Sequence, residues 1–309
     1  MKLNENFDQL IKKEKRKRLL KTIAISFVTT VVLLFIGYTL INKRMEMQYK
    51  KAQEMANITD MIESPNLVSQ SQYLSTSGRV TSQLKSERFK NIDGYMVAAT
   101  PLEINFSLFG IGYGSGKNSS LTVPITKTKE IGAFSRENGE KLPLFFNPKH
   151  KESETQQEAK ATHEARTLSG FKNHVAEVAI SFKEPMTYAE IQAKIPENVL
   201  INWYWLGMAS DQLSATETVG KVIGINADEA GKLSSEPLKS KTSSAWWSPN
   251  YPSFVAAVKT AAEKRSYTVN GLDIYQDALK QIEKYPTLKT AKFSGIIVSG
   301  RTENLATLD

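Results

Sequence analysis

The stretch TIAISFVTTVVLLFIGYTLI, residues 22–41, decides how the rest of the chain is organised, because its 20 residues carry no charge. As an α-helix it spans about 30 Å, the thickness of the hydrocarbon core of a bilayer. A secretory signal peptide has a shorter apolar run that ends at a small-residue cleavage site. This run ends instead at Asn42-Lys43-Arg44. The pattern therefore predicts an uncleaved, single-pass membrane helix.

The charges that flank this helix predict its orientation. The chain of 309 residues has a formal net charge of +8, of which residues 1–21 hold +5 and residues 43–51 hold +3. Seven Lys and Arg residues crowd the segment 12–21, so the positive-inside rule predicts a cytoplasmic N-terminus and an extracytoplasmic C-terminus at the cell membrane. Residues 52–309 are neutral overall, which disfavours a nucleic-acid partner because phosphate binding needs surplus Lys and Arg.

The basic cytoplasmic tail, residues 1–21, is too short to form a domain but has an amphipathic pattern. Leu3, Phe7, Leu10 and Ile11 recur at the spacing of one helix face. Such a face can dock in the hydrophobic groove of a partner. The alternative is a helix that lies on the membrane surface with its apolar face among the headgroups.

The remaining residues divide into four parts by composition. Residues 42–66 contain good helix formers up to Ser64-Pro65-Asn66, which predicts a stalk that continues the membrane helix and ends at the proline. Residues 67–146 are β-rich, with Leu102, Ile104, Phe106 and Leu108 alternating with polar residues. A polar linker follows at 147–170, and 171–309 mixes strands with short helices. The expected fold is thus a single N-terminal transmembrane helix, an extracytoplasmic β-rich region and a C-terminal α+β domain.

Aromatic residues are the most unusual feature of the C-terminal part. Strand VLINWYWL, 199–206, places Val199, Ile201, Trp203 and Trp205 on one predicted face, which favours the core for the two tryptophans. Tyr204 lies on the opposite predicted face, and Trp246 and Trp247 lie in the polar stretch SSAWWSPNYP. These three residues are candidate contacts for a glycan, a peptide or a partner protein. Core packing is the alternative for Trp246 and Trp247.

The sequence offers no constellation for catalysis or metal binding. The chain has no cysteine, and its histidines, His150, His163 and His174, lack metal-ligand spacing. No Gly-x-Ser-x-Gly motif and no paired carboxylates stand out. We therefore expect neither an enzyme nor a cofactor nor a metal.

Two segments resemble a known bacterial family. KNIDGYMV (90–97) followed by LEINFSLFGIGYG (102–114) resembles the N-terminal region of the sigma-factor regulator family. VAEVAISFKEPMTYAEIQAKIPENVLINWYWLG (175–207) resembles its C-terminal domain, with the AE-x-A-x-SF, TY-x-E and W-x-W motifs.

The resemblance implies a membrane-anchored anti-sigma factor of a Gram-positive bacterium. The cytoplasmic part would hold an extracytoplasmic-function sigma factor inactive, while the outer part senses envelope stress or binds a second membrane protein or a wall component. The holding element is then the tail, with Leu3, Phe7, Leu10 and Ile11 as its contacts. The alternative function is a surface-anchored binding module for wall polymer, peptide or a membrane partner, without any sigma-factor contact.

Overall fold

The computed structural model describes residues 2–308 except 116–119, 126–129, 136–138, 148–162, 211–215, 219–221, 237–249 and 270. One helix, α1 (Lys2–Ile62), joins the tail, the apolar segment and the stalk without a break. It ends just before Ser64-Pro65, as predicted. Within the described residues this is the one helix long and apolar enough to span a membrane. The side chains of its apolar segment are exposed, as in Phe27 and Leu34, so they require a lipid environment.

The stalk half of α1 packs on an antiparallel meander. The meander consists of β1 (Val68–Ser77), β2 (Thr81–Ile92), β3 (Tyr95–Ser107) and β4 (Ile111–Ser115), paired in that order. Leu102, Ile104 and Phe106 are buried against Ala52 and Ala56 of the helix. The predicted alternation is thus confirmed for these three residues, and Leu108 lies beyond the end of the strand.

Small sheets follow the meander. Strands β5 (Ser120–Ile125), β6 (Glu130–Ser135) and β7 (Lys141–Leu142) form one, and β8 (Leu144–Phe146) pairs with a later strand. The predicted linker lies largely outside the described residues, and its described end forms a 3-10 helix, Glu164–Gly170.

The C-terminal part is an α+β arrangement, as predicted. Its strands are β9 (Val175–Thr187), β10 (Leu200–Trp205), β11 (Thr216–Thr218), β12 (Gly224–Asn226), β13 (Thr268–Val269), β14 (Leu272–Asp273) and β15 (Lys292–Arg301). The main sheet is antiparallel in the order β12-β10-β15-β9, while β11 pairs with β8, and β13 with β14. The helices are α2 (Tyr188–Lys194), α3 (Tyr251–Lys264), α4 (Ile274–Lys284) and α5 (Thr302–Leu305). We call residues 67–309 the body.

Local signals set several of these boundaries. Thr187 and Glu190 form the predicted capping box at the start of α2, which satisfies two backbone N–H groups that the helix leaves open. The Asp273 side chain likewise accepts from the amides of Tyr275 and Gln276 at the start of α4.

Strand β10 departs from the simple alternation expected for 199–206. A register irregularity against β15 lies between Ile201 and Trp203. Trp203 and Trp205 pack around Phe145, whereas Ile201 belongs with Tyr204 to the larger core on the other side. The prediction that Ile201 shares a face with the tryptophans is therefore wrong, because the irregularity exchanges the two faces of the strand. The core position predicted for both tryptophans is confirmed.

Candidate functional site

The predicted tail contacts lie on the first turns of α1. The backbone of Leu3, Phe7 and Leu10 is helical, and their side chains lie outside the described part. Ile11 follows on the same helix with its side chain exposed. An exposed position leaves Ile11 open to a partner or to lipid.

The predicted aromatic contacts have different positions. Trp246 and Trp247 lie outside the described residues. Tyr204 has an exposed fraction of 0 %, packs against Phe293, and donates a 2.8 Å hydrogen bond to the Gly231 carbonyl. Burial is also the main cause that raises the pKa of Tyr204. In this position Tyr204 supports the core, and its ring cannot touch a partner unless the core opens.

The structure draws attention instead to the end of α1, where the stalk meets the C-terminal part. Ile58 and Ile62 of α1 are buried in the same apolar cluster as Phe254, Val258 and Tyr275. The last turn of the membrane helix is therefore part of the C-terminal core. We call residues 54–66, together with the polar clusters that hold them to the rest of the chain, the junction.

A buried ion pair ties the junction to α3 and α4. Arg265 Nη1 donates to Glu63 Oε1 at 2.7 Å, and the Tyr275 hydroxyl donates to the same oxygen at 2.7 Å. Arg265 Nη2 also donates to the Met55 carbonyl at 2.5 Å. A buried charge is tolerated only with such partners, so this cluster orients α1 against both helices.

A second buried pair ties α1 to the meander. Arg88 Nη1 lies 3.7 Å from Asp60 Oδ1, and both side chains are almost wholly buried. The Ser86 hydroxyl donates to Asp60 Oδ2 at 2.8 Å and shares a 2.6 Å hydrogen bond with Ser69. Burial raises the pKa of Asp60 more than the Arg88 guanidinium lowers it. Burial therefore disfavours the charged form of Asp60, because it removes water from around the carboxylate.

A third cluster ties the meander to the C-terminal sheet. Lys90 Nζ donates to Glu177 at 2.9 Å and to Glu140 at 2.6 Å, and Asn66 donates to Glu177 at 2.6 Å. Burial acts to lower the pKa of Lys90, but the two carboxylates outweigh it and the pKa lies above its usual value.

Carboxamides complete the junction without charge. Asn202 Nδ2 donates to the Asn91 carbonyl at 2.8 Å, and Asn226 Nδ2 donates to the carbonyls of Ser64 and Leu67 at 3.3 and 3.2 Å. These bonds join strands of the C-terminal sheet to the loop after α1 and to the end of β2. In all, the stalk, the meander and the C-terminal sheet meet at one polar core.

Sequence reasoning missed these junction residues. Arg88 and Lys90 continue the buried face of β2 that begins with Ser82 and Leu84. The alternation SQLKSERFK places them on that face, but their charge argues for the opposite, exposed face. Only their partners across the chain account for the burial. Within the described residues, no group of three or more Asp, Glu or His side chains is arranged to hold a metal ion.

Two family models match the chain, and residues on both sides of the junction lie within the matched segments. Residues 8–97 match the sigma factor regulator N-terminal model, and residues 168–309 match the sigma factor regulator C-terminal model. Asp60, Glu63 and Arg88 lie in the first match, while Glu177 and Arg265 lie in the second. No curated protein and no solved structure matches the chain. The two matches show that the chain belongs to the sigma factor regulator family, and they support a role as an anti-sigma factor.

Proposed function

We propose that this chain is a single-pass regulator of an extracytoplasmic-function sigma factor, with residues 1–21 in the cytoplasm and the body outside. The tail binds and holds the sigma factor. The body binds an envelope component, either a wall polymer or a second membrane protein. Seven basic residues in segment 12–21 support this orientation through the positive-inside rule.

The observation that carries the proposal is the continuity of α1. One helix runs from Lys2 to Ile62, and its last turn is buried in the C-terminal core. No proline interrupts this helix, so a displacement of the junction can move the tail as well. Binding to the body can therefore change the tail by a shift or rotation of α1. Cleavage of the stalk near residues 43–63 is the second route, because it would release the tail and the membrane helix from the body.

The tail contacts that we propose are Leu3, Phe7, Leu10 and Ile11. One face of a short helix covers only part of a standard interface of about 800 Å² per partner. Few residues then carry most of the affinity, so each substitution should have a large effect. Loss of a single aromatic anchor typically costs about 2 kcal/mol, or about thirtyfold in affinity.

The test is a transcription reporter for the sigma factor in the host cell. Deletion of residues 2–11, which leaves the basic segment 12–21 in place, should raise sigma-dependent transcription. The double variant Phe7→Ala/Leu10→Ala should do the same, while Glu5→Gln/Gln9→Ala on the opposite, polar face serves as the matched control. Immunoblots of membrane fractions show that each variant is retained.

Unchanged transcription with a retained, tail-deleted protein would contradict the proposal. It would favour a surface-anchored binding module whose tail is only a topology signal. Crosslinking of the full chain with and without residues 2–11, read by mass spectrometry, tests the same point, since a sigma factor should be recovered only with the tail. For the outer contacts, we propose Trp246 and Trp247, and Trp246→Ala or Trp247→Ala should then weaken binding to purified envelope fractions.

A further inference from the structure

A cleft of about 620 Å³ opens beside the junction. One wall is a face of α1, formed by Gln53, Asn57, Asp60 and Met61, which recur at helical spacing. The other walls are the start of β1, the β2–β3 hairpin, β10 and β12 with the turn that follows, and the start of α3. A ligand in this cleft would therefore touch the helix that carries the tail.

Two sheet edges face the cleft. Seven consecutive residues, 66–72, line it and include the first five of β1, while residues 225–229 line it and include the last two of β12. A strand that shows one face contributes only every second residue, so consecutive lining residues indicate the main-chain edge. Among the described strands, β1 pairs with β2 alone and β12 with β10 alone. Free edges of this kind accept an added strand through main-chain hydrogen bonds.

The lining favours a neutral or basic polar ligand. Nine of the described lining side chains are Asn or Gln, and Asp228 and Glu229 stand exposed at the rim. None of the described lining residues is Lys or Arg. Asn202, also in the lining, is buried, and its Oδ1 accepts no hydrogen bond from any described residue. Carboxamides both donate and accept, as a peptide main chain does.

We propose that this cleft binds an extended, non-acidic peptide segment as an added strand. Peptide binding is argued from the cleft alone. The role of the bound peptide as a stimulus that moves α1 rests on the function proposed above.

The probe is a pooled library of blocked octapeptides with every residue type at every position, applied to the full chain in lipid nanodiscs. We expect retention of peptides poor in Asp and Glu. N-methylation of alternate main-chain amides should abolish their binding, because it removes the donors of an added strand. Glu229→Lys should weaken binding of a retained basic peptide by about fivefold, as for one exposed ion pair, while Glu197→Lys, an exposed acid outside the lining, should not.

Retention of no peptide at millimolar concentration would overturn this proposal, as would retention of wall-glycan fragments in place of peptides. The reporter experiment stays separate. If peptides bind but the tail deletion leaves transcription unchanged, the peptide-binding proposal is supported and the proposed sigma-factor function is contradicted. If the tail deletion raises transcription but no peptide is retained, the sigma-factor function is supported and the peptide-binding proposal is contradicted.

A second, independent observation concerns the end of the meander nearest the apolar segment. The β1–β2 turn places Arg79 over the Tyr38 ring at 5.7 Å, and Arg44 donates to the Leu108 carbonyl at 3.1 Å. The Leu108 amide donates to the Val80 carbonyl at 3.1 Å, which joins the β1–β2 and β3–β4 turns. We call these two turns, residues 78–80 and 108–110, the lip.

The lip lies level with the last turn of the apolar segment, because Tyr38 belongs to residues 22–41. It presents Phe109, 93 % exposed, and Val80, 51 % exposed, beside the basic residues Arg79 and Arg44. Apolar tips flanked by positive charge suit the boundary between acyl chains and anionic headgroups.

We infer that the lip inserts into the membrane surface around α1 and fixes the body against the bilayer. The chain has no cysteine, so Phe109→Cys gives a unique site for an environment-sensitive fluorophore. Tyr95→Cys is the matched control, since Tyr95 is exposed at the start of β3, opposite the last residue of β2, and the 12 residues of β2 span about 40 Å.

Both labelled chains are placed in vesicles of equal parts phosphatidylcholine and phosphatidylglycerol that carry a nitroxide near the glycerol end of the acyl chain. The label at position 109 should lose most of its fluorescence, and the label at position 95 should lose none. Equal quenching at the two positions, or quenching at neither, would overturn the inference.

Discussion

Arg265, the residue that follows α3, donates a 2.7 Å hydrogen bond to Glu63, the residue that follows α1. The pair is 202 residues apart in the chain and is almost completely buried. It joins the end of the membrane helix to the C-terminal part, so the position of α1 depends on the packing of α3 and α4. Under the proposed function, this contact belongs to the path between the body and the tail.

Arg265→Met should lower the free energy of unfolding of the body by about 3–5 kcal/mol, because it leaves the Glu63 carboxylate buried without its guanidinium partner. The neighbouring Lys264→Met is the matched control. Lys264 pairs with Glu54 at the surface, and an exposed pair is worth about 0–1 kcal/mol. Urea unfolding of the full chain in detergent, followed by the fluorescence of buried Trp203 and Trp205, measures both. Equal losses would show that burial does not distinguish the two pairs.

Lys90→Met should also destabilise the body by about 3–5 kcal/mol at neutral pH, since it leaves Glu177 largely buried without its ammonium partner. The pKa of Lys90 is raised above its usual 10.5. The stabilising contribution of Lys90 is therefore complete below pH 10.5 and is lost as the pH rises through the folded-state value. Thermal unfolding of both chains from neutral to alkaline pH should show the difference shrinking only at the alkaline end. A difference that shrinks near neutral pH would contradict the assignment.

Asp60→Asn should change the pH dependence of stability in the opposite range. The folded-state pKa of Asp60 is raised above 3.8, so the contribution of Asp60 to stability is largest below pH 3.8 and falls as the pH rises through the folded-state value. The variant cannot ionise at this position. Its stability relative to the natural chain should therefore increase with pH over the acidic range, by at most about 1.4 kcal/mol per pH unit. Parallel pH profiles for the two chains would show that Asp60 does not titrate with a raised pKa.

Gly224→Ala should destabilise the C-terminal sheet because the added Cβ would lie 2.2 Å from the Tyr204 carbonyl oxygen and 2.3 Å from the Trp203 ring. Overpacking of this kind costs about 1–3 kcal/mol, and more where a backbone atom must move. Gly112→Ala is the matched control, since no described atom beyond its chain neighbours lies within 4 Å of the position that its Cβ would take. Thermal unfolding should separate the two variants. A stable Gly224→Ala chain would place β12 further from β10 than the structure does.

The orientation of the chain can be tested by cysteine labelling, because the natural chain contains none. Ser75→Cys, at an exposed position of β1, should react with a membrane-impermeant maleimide in intact cells. Asn6→Cys in the tail should react only after the cells are opened. The reverse result would place the body in the cytoplasm and contradict the proposed function.

Several features could be predicted from the sequence because their causes are local. The uncharged run 22–41 needs lipid whatever surrounds it, and Pro65 ends a helix for lack of an N–H group. The Thr187–Glu190 capping box was likewise visible, since both partners lie within one turn. The core positions of Trp203 and Trp205 followed from hydrophobicity, although the irregularity in β10 that separates them from Ile201 did not.

The candidate site was not predictable in this way, because each of its contacts joins residues far apart in the chain. Asp60, Glu63, Arg88 and Lys90 have the character of ordinary surface charges in the sequence. Their burial depends on partners that only folding brings within hydrogen-bond distance, as with Glu177 for Lys90 and Arg265 for Glu63. Local sequence was enough to specify a membrane helix, a stalk and two kinds of region beyond it. Tertiary packing was needed to bring the end of the stalk inside the C-terminal core, because a buried charge is stable only where the whole fold supplies its counter-charge.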